Sequence, residues 1–450
     1  MDRTDSTAMN HHDRIQAVRE EFPDIPAEAV FKEDLLRLGV WFTGDALRAA
    51  EDYARKSYFI FSFDRRPLAD LDRLPRRGAP EEIRFSGGRE ELSPTVVSVR
   101  LNPESPWVVD VTEEGQTVLE LDGVTMADRV EFAPIPPYYG GSTSDGASLI
   151  ETAPSIEWGY LLYLTVFRMC QYFNKGEECR FCDINSNFKQ QRDDGRTYNA
   201  VKPVERIVEA LSLILESGAE PGAYTLTGGA VTSELQGKGE LEFYLPYAEA
   251  IEKAHPGRWI GKMVVQALPE DQVRRIRDAG IQIYHPNYEI WDEKLFEKIC
   301  PGKTRYVGRQ EWIDRILAAA EIFPPQDVIP NFVAGVETAP PHGFATEEEA
   351  WASTGEGLEF FMSRGVIPRF TTWCPEPLSG LGREGAQPAS LRYHVGLLRL
   401  WRDTHERHAL PAPRGYGRPG RGHAVFSVSA FMDVIRSQPD AESLTETSPS

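Results

Sequence analysis

After Glu157 the chain alternates short β-type runs with helical stretches, and the alternation continues through six rounds. YLLYLTVF leads to a cysteine-bearing loop and the helical VERIVEALSLILESG, and AYTLT leads to a glycine turn and LEFYLPYAEAIEKA. KMVVQAL is followed by EDQVRRIRDAG, IQIYHPN by EKLFEKI and EWIDRILAAAEIF, VIPNFVAG by TEEEAWASTGEGLEFFMSRG, and VIPRFTTW by SLRYHVGLLRLWRDTHERH. Strands spaced by helices of this length pair in parallel, because a parallel neighbour is reached only by a long crossover. No Gly-x-Gly-x-x-Gly follows the first strand, so the pattern predicts an α/β fold of the partial (β/α)6 TIM-type barrel kind rather than a doubly wound sheet. In such barrels chemistry sits at the C-terminal ends of the strands.

The rest of the chain is read around that barrel, which is assigned to residues 156–385. Residues 16–155 are expected to form an N-terminal α+β domain. There PAEAVFKEDLLRLG and GDALRAAEDYARKS carry helical periodicity, YFIFSF reads as a strand, and TVVSVRL and WVVDVTEEGQTVLELDGV alternate as strands do, the second with a hairpin turn at Glu-Glu-Gly-Gln. The linker PIPPYYGGSTSDG closes this region. Residues 386–437 are expected to supply a C-terminal helix and a capping segment. The polar ends 1–15 and 438–450 are expected to be disordered tails.

With 450 residues, 41% of them hydrophobic, the chain can bury a full-sized core. It has no run of the roughly 18–20 apolar residues that a membrane span needs, and its start lacks an apolar signal-peptide core, so a cytoplasmic location without membrane contact is expected. A formal charge of −20 repels phosphate backbones and argues against a nucleic-acid partner.

Five cysteines make no disulfide framework in a chain this long, yet three of them, Cys170, Cys179 and Cys182, fall within thirteen positions directly after the first barrel strand. Three thiolates on one loop can bind three corners of an iron–sulfur cubane and leave the fourth iron open to a substrate or cofactor. The residues alone also admit a zinc site, although zinc favours four ligands and no further His or Cys stands nearby, or three unligated thiols. Further candidates follow the later strands. Thr227-Gly228-Gly229-Ala230 follows the second, His285-Pro286-Asn287-Tyr288-Glu289 ends the fourth, and Cys374 stands beside Trp373 and Glu376 at the end of the sixth. Asn287 and Glu289 share one side of an extended chain because strand side chains alternate. His285 is either a structural histidine or a catalytic one, and Cys300 reads as a small buried hydrophobe. Arg414, Arg418 and Arg421 gather positive charge in a glycine-rich segment, either as a solvated loop or as a grip on a substrate carboxylate or phosphate.

The cysteine loop and its place after the first strand resemble the radical S-adenosylmethionine superfamily. Phe181 occupies the aromatic position before the third cysteine. The departure is the first spacing, eight residues between Cys170 and Cys179 where the commonest pattern has three. The resemblance implies a [4Fe–4S] cluster on the three cysteines and S-adenosylmethionine as the second cofactor. Thr227, Gly228 and Gly229 resemble the family's Gly-Gly-Glu segment, whose backbone receives the methionine ammonium, with Ala230 in place of the acid. Asn287 and Glu289 would meet the ribose or methionine, and Val333, Gly335 and Glu337 would border the adenine.

By the same resemblance the cluster would be reduced by a flavodoxin or ferredoxin-type donor, and a 5′-deoxyadenosyl radical would take hydrogen from a small, anionic metabolite. Cys374 and His285 are the candidates for catalytic contact with that substrate, and Arg414, Arg418 and Arg421 for its binding. No second cysteine cluster and no Asp-x-His-x-x-Gly cobalamin segment is found. The rival readings are a methyl- or aminocarboxypropyl-transferase, a tRNA-modifying enzyme, and a non-catalytic zinc or iron–sulfur scaffold.

Overall fold

The computed structural model describes residues 10–50, 52–57, 64–66, 78–193, 195 and 199–436. The strand expected at YFIFSF lies outside them, as do residues 1–9 and 437–450. A helix, His11–Glu21, begins inside the stretch expected to be an N-terminal tail, capped by the Asn10 side chain on the Asp13 amide.

All six strands expected after Glu157 are present: Leu161–Phe167 (β1), Ala223–Gly228 (β2), Ile260–Val265 (β3), Ile283–Pro286 (β4), Asn331–Ala334 (β5) and Arg369–Thr372 (β6). β1 to β4 pair in parallel in chain order, and β5 pairs in parallel with β6. Two isolated parallel bridges, Tyr284 to Val328 and Glu289 to Phe332, join the groups. The strands bury aliphatic and aromatic side chains such as Leu162, Leu164, Val166, Leu226, Met263, Ile283 and Phe332, and the helix Val204–Glu216 buries one apolar face with Ile207, Ala210, Leu211 and Ile214. The fold is mixed α/β, and among the described residues the strands close no barrel: beyond β1 lies only the short antiparallel Ser155–Ile156.

The expected N-terminal hairpin is Trp107–Val111 with Thr117–Leu121, part of a four-stranded sheet, and a three-stranded sheet joins Leu92–Ser98, Glu82–Gly87 and Arg129–Phe132. This region has no core of its own. Phe31, Trp107, Leu164, Ile316, Trp401 and Phe431 belong to one continuous hydrophobic cluster. The element that joins them is the helix Ala27–Leu38, buried on every face although it carries Glu28, Lys32, Glu33 and Asp34.

Each of those charges has a partner. Lys32 Nζ meets Asp433 at 2.7 Å and the Phe426 carbonyl at 2.5 Å; Glu33 accepts from Thr372 Oγ1 at 2.6 Å and from the Ala430 amide at 2.7 Å; Asp34 accepts from Trp107 Nε1 at 2.7 Å. The C-terminal segment therefore lies along the open side of the sheet. Its Val428 carbonyl accepts from the Thr372 amide at 3.0 Å, and its Ser427 carbonyl accepts from Ser98 at 2.9 Å. Among the described residues no helix is long and apolar enough to cross a membrane.

Removing one partner of a buried ion pair strands the other charge. Lys32→Met is therefore expected to destabilise the fold by about 3–5 kcal/mol in urea denaturation, and Lys32→Met with Asp433→Leu to recover much of that loss.

Candidate active site

At the end of β1 the Cys170 amide donates to Asn185 Oδ1 at 2.7 Å, and Asn185 Nδ2 returns a bond to the Cys170 carbonyl at 3.3 Å. The eight residues before Cys179 are taken up by a 3-10 turn, Gln171–Lys175, ended by Gly176 in the left-handed region. The Glu177 amide then donates to Tyr172 and the Gly302 amide to Glu177, both at 2.9 Å. Cys179 to Cys182 is a turn closed by a 2.9 Å bond between its ends, and Arg180 is clamped from two sides, its amide on the Ile299 carbonyl and its carbonyl on the Leu381 amide, both 2.8 Å. The long first loop thus folds back on itself, so the unusual spacing still brings all three cysteines to one place.

Gly229 lies against that loop. A Cβ there would sit 2.0 Å from the Met169 carbonyl oxygen and 2.5 Å from Cys170 Cα, and one on Gly228 would sit 2.3 Å from Tyr244 Oη. Two glycines are required because the backbone after β2 touches the backbone after β1. Behind this shelf is a buried carboxylate that the motif reading missed. Glu240, at the start of the helix Glu240–Ala254, accepts from the Val231 amide at 2.8 Å and the Gln266 amide at 2.7 Å, and Gln266 accepts from Tyr172 Oη. Burial pushes the Glu240 carboxyl up.

These groups surround one cavity of about 280 Å³. Cys170, Cys179, Cys182, Phe181, Thr227, Gly228, Gly229, Asn287, Glu289, Val333 and Cys374 all line it. Among the described residues no three His, Cys, Asp or Glu side chains are drawn together around a single ion. The thiols instead surround open volume. Burial pushes Cys170 up to about 12 and Cys182 well above the usual thiol range, with Cys179 adding to both, so without compensating positive charge these thiols stay protonated. Cys300, behind them, hydrogen-bonds the Cys179 thiol.

On the same cavity, Lys303 Nζ meets Glu289 at 2.6 Å and the Asn287 carbonyl at 2.6 Å. Burial alone would lower the Lys303 ammonium, but Glu289, Cys179 and Cys300 together raise it. Glu289 has φ +80, a backbone region costly for a side chain, and Asn287 Oδ1 is buried with no hydrogen-bond partner. An orphaned acceptor and a strained carboxylate on the wall that faces three thiols fit a polar cofactor. Further along, Asp183 and Glu376 share a hydrogen bond; burial raises both, so they hold a proton between them. Burial pushes the Cys374 thiol up, opposed by Arg100 beside it.

Six expected site residues, Gly335 among them, lie elsewhere. His285 is 1% exposed and outside the cavity lining: its Nδ1 meets the Ile329 carbonyl at 2.8 Å and its Nε2 meets Tyr416 Oη at 2.9 Å. Burial, with Arg369 and Lys262 nearby, drives its pKa far down, so it is a neutral structural group rather than a catalytic one. Glu337 accepts from the Gly335 amide at 2.9 Å, Thr354 Oγ1 at 3.2 Å and Tyr393 Oη, which closes a loop of its own off the cavity. Arg414 is spent on Asp327, Nε to Oδ1 3.1 Å, and Arg421 on Glu28 at 2.6 Å; Arg418 is exposed, and none of the three reaches the cavity.

The residue of that segment that does go inward is Tyr416, between Gly415 and Gly417 at φ +78 and +74. It packs beside Lys262 of β3, His285 of β4 and Arg369 of β6. Tyr416→Phe would leave His285 Nε2 buried without its donor, and is expected to cost about 1–3 kcal/mol in chemical denaturation while iron content stays unchanged.

No family model matches the chain. A curated relative, bacteriochlorophyllide c C-7(1)-hydroxylase of Chlorobaculum limnaeum, is 23% identical over 299 residues, which cover 62% of this chain and 70% of that one. Among solved structures, methylornithine synthase (PylB) is 15% identical over 54% of this chain and 61% of its own, with a TM-score of 0.39. HydG, a maturase of the [FeFe]-hydrogenase, is 16% identical over 54% and 48%, with a TM-score of 0.37. Coproporphyrinogen III oxidase (HemN) from Escherichia coli, a radical SAM enzyme, is 10% identical over 58% and 55%, with a TM-score of 0.36. The chain thus spans about half to three fifths of the length of these solved structures. The cysteine loop, with the glycine shelf packed against it, lines the cavity and is the feature by which the sequence resembles the radical S-adenosylmethionine superfamily.

Proposed function

We propose that Cys170, Cys179 and Cys182 hold a [4Fe–4S] cluster, that S-adenosylmethionine lies between it and the wall formed by Thr227, Gly228, Gly229, Asn287, Glu289 and Val333, and that the enzyme takes hydrogen from a small molecule in the same cavity. The observation that carries this reading is the convergence of three strand-end segments and the cysteine loop on one cavity of about 280 Å³. On this reading the six strands are one partial (β/α)6 barrel with its chemistry at the strand ends.

When bound, the cluster supplies one electron for reductive cleavage of the S-adenosylmethionine sulfonium. The chain's own groups prepare the place. Asn185 and Gln171 fix the cysteine loop by hydrogen bonds to its neighbours, and the Tyr172–Gln266–Glu240 chain fixes it from below. Lys303 holds Glu289 in its strained conformation. The C-terminal segment, through Phe426, Ser427 and Val428, walls off the side that the strands leave open, which keeps water from the reacting groups. Cys374 faces the cavity and is the group placed to contact the substrate or return a hydrogen atom. A flavodoxin or ferredoxin-type donor is the natural reductant.

Anaerobically reconstituted protein is expected to bind about four irons per chain, and each of Cys170→Ala, Cys179→Ala and Cys182→Ala to abolish that binding, whereas Cys300→Ala retains it. Stoichiometric zinc without iron would refute the assignment. Reduced protein should convert S-adenosylmethionine to 5′-deoxyadenosine and methionine, slowly when alone. With a substrate deuterated at the attacked carbon, one deuterium should appear in the 5′-deoxyadenosine by mass spectrometry, because a positioned radical reacts only with a neighbour in contact. S-adenosylhomocysteine or methylthioadenosine as the sole product would assign group transfer instead.

A further inference from the structure

The starts of the barrel strands carry charge that the cofactor reading does not use. Tyr163 of β1, Thr225 of β2, Asn331 of β5 and Arg369 of β6 all line the cavity. Tyr163 is in register with Thr225, and Asn331 with Arg369, so they form the floor beneath the strand-end groups. Glu157 precedes β1, is 1% exposed and lines the same cavity. Its amide is fixed by Glu82 Oε1 at 2.8 Å, its φ is +56, and its Oε2 is buried with no hydrogen-bond partner. Burial pushes its carboxyl up to about 7, against the opposing fields of Lys262 and Arg369.

Arg369 is aimed by a 3.0 Å bond from Nε to Asn331 Oδ1 and a 3.4 Å bond from Nη1 to Tyr416 Oη, and its guanidinium lies 5.5 and 5.6 Å from the ring centres of Tyr416 and Phe426. Neither Glu157 nor Arg369 forms a salt bridge with a described residue. The nearby cation, Lys262, has its Nζ on the Gly415 carbonyl at 2.7 Å. One cavity floor therefore presents a carboxylate and a guanidinium that feel each other's field, neither held in a direct salt bridge by a described residue, in surroundings where a charge without a direct partner is strongly disfavoured.

We propose that Glu157 and Arg369 are the recognition pair for the substrate, and that the substrate is a free α-amino acid whose ammonium sits on Glu157 Oε2 and whose carboxylate sits on the Arg369 guanidinium. The inference rests on the functional reading above and names its substrate class. An anion alone would satisfy Arg369 and leave Glu157 unpaired and repelling; a cation alone would do the reverse. A zwitterion satisfies both, and the planar guanidinium matches a carboxylate with two parallel bonds. The volume suits a small molecule, and Tyr163, Thr225 and Thr371 line the cavity beside the place where its side chain would lie.

The test uses anaerobically reconstituted holoenzyme with S-adenosylmethionine, titrated with each of the twenty protein amino acids, its decarboxylated amine and its deaminated acid. Binding is read by tryptophan fluorescence, since Trp312 and Trp373 line the cavity. At least one amino acid should bind, with its amine and its acid each at least tenfold weaker. Glu157→Gln should weaken that amino acid at least tenfold without changing the affinity of the acid, and Arg369→Gln should do the same without changing that of the amine. An amine or acid that binds wild-type protein as tightly as its amino acid overturns the pairing, whatever the variants do. No binding by any amino acid, in protein that still yields 5′-deoxyadenosine, overturns this proposal alone. A loaded, reduced protein that never cleaves S-adenosylmethionine overturns the functional reading and this one with it.

Discussion

A sheet that stops short of closure leaves a row of unpaired backbone groups and an open flank, and the rest of this structure is organised around covering them. The cover is the helix Ala27–Leu38 with the C-terminal segment that it anchors. Because the helix is buried all round, Glu28, Lys32, Glu33 and Asp34 had to find partners in other parts of the chain, and they do so in β6, in the N-terminal sheet and in residues 421–433. Hydrophobic burial alone would let this helix slide or rotate. Ion pairs and hydrogen bonds at fixed positions specify one docking, at a desolvation cost that the surrounding core offsets.

The same logic of close contact governs the cysteine loop. Gly229 touches the backbone of Met169 and Cys170, so the loops after β1 and β2 position each other before any ligand is considered. That contact weakens one argument and strengthens another. The glycine pair has a packing cause, and by itself says nothing of a methionine ammonium. It does explain how a first loop of eight residues can still deliver its cysteines: the surplus is wound into a 3-10 turn pinned by Tyr172, Glu177 and Gly302, and the segment from Cys170 stays in register with the shelf.

The six strands after Glu157 were legible because their signal is local. Runs such as YTLT and KMVV can be little else than buried strands, and their order along the chain is their order in the sheet. The cavity residues that were legible sit at strand ends, where position in the chain implies position in space. Those missed are brought in by contact across the fold: Lys303 from a helix, Glu240 from eleven residues past the shelf, and Glu157 from a turn that carries no motif. The N-terminal region misled for a related reason. Its strands and helices read as an independent unit, while the core they share with the barrel is a property of packing that no local pattern records.

The arginines near the C-terminus show how charge in a sequence differs from charge in a site. Arg414 and Arg421 end on Asp327 and Glu28, while the glycines between them serve to turn Tyr416 into the barrel, where its ring lies 4.3 Å from Lys262 Nζ and its hydroxyl meets His285. A protein with a net charge of −20 thus keeps Lys262, Lys303 and Arg369 in or beside one small interior space, together with Glu157, Glu240 and Glu289. An interior built for stability alone would be apolar, since each of these groups loses solvation that its neighbours only partly restore. Where the protein supplies the counter-charge, as for Glu289 with Lys303, the group is structural support for the wall. Where no described side chain hydrogen-bonds the group, as for Glu157 Oε2, the partner we propose is a ligand, and the polarity of the space then describes what enters it.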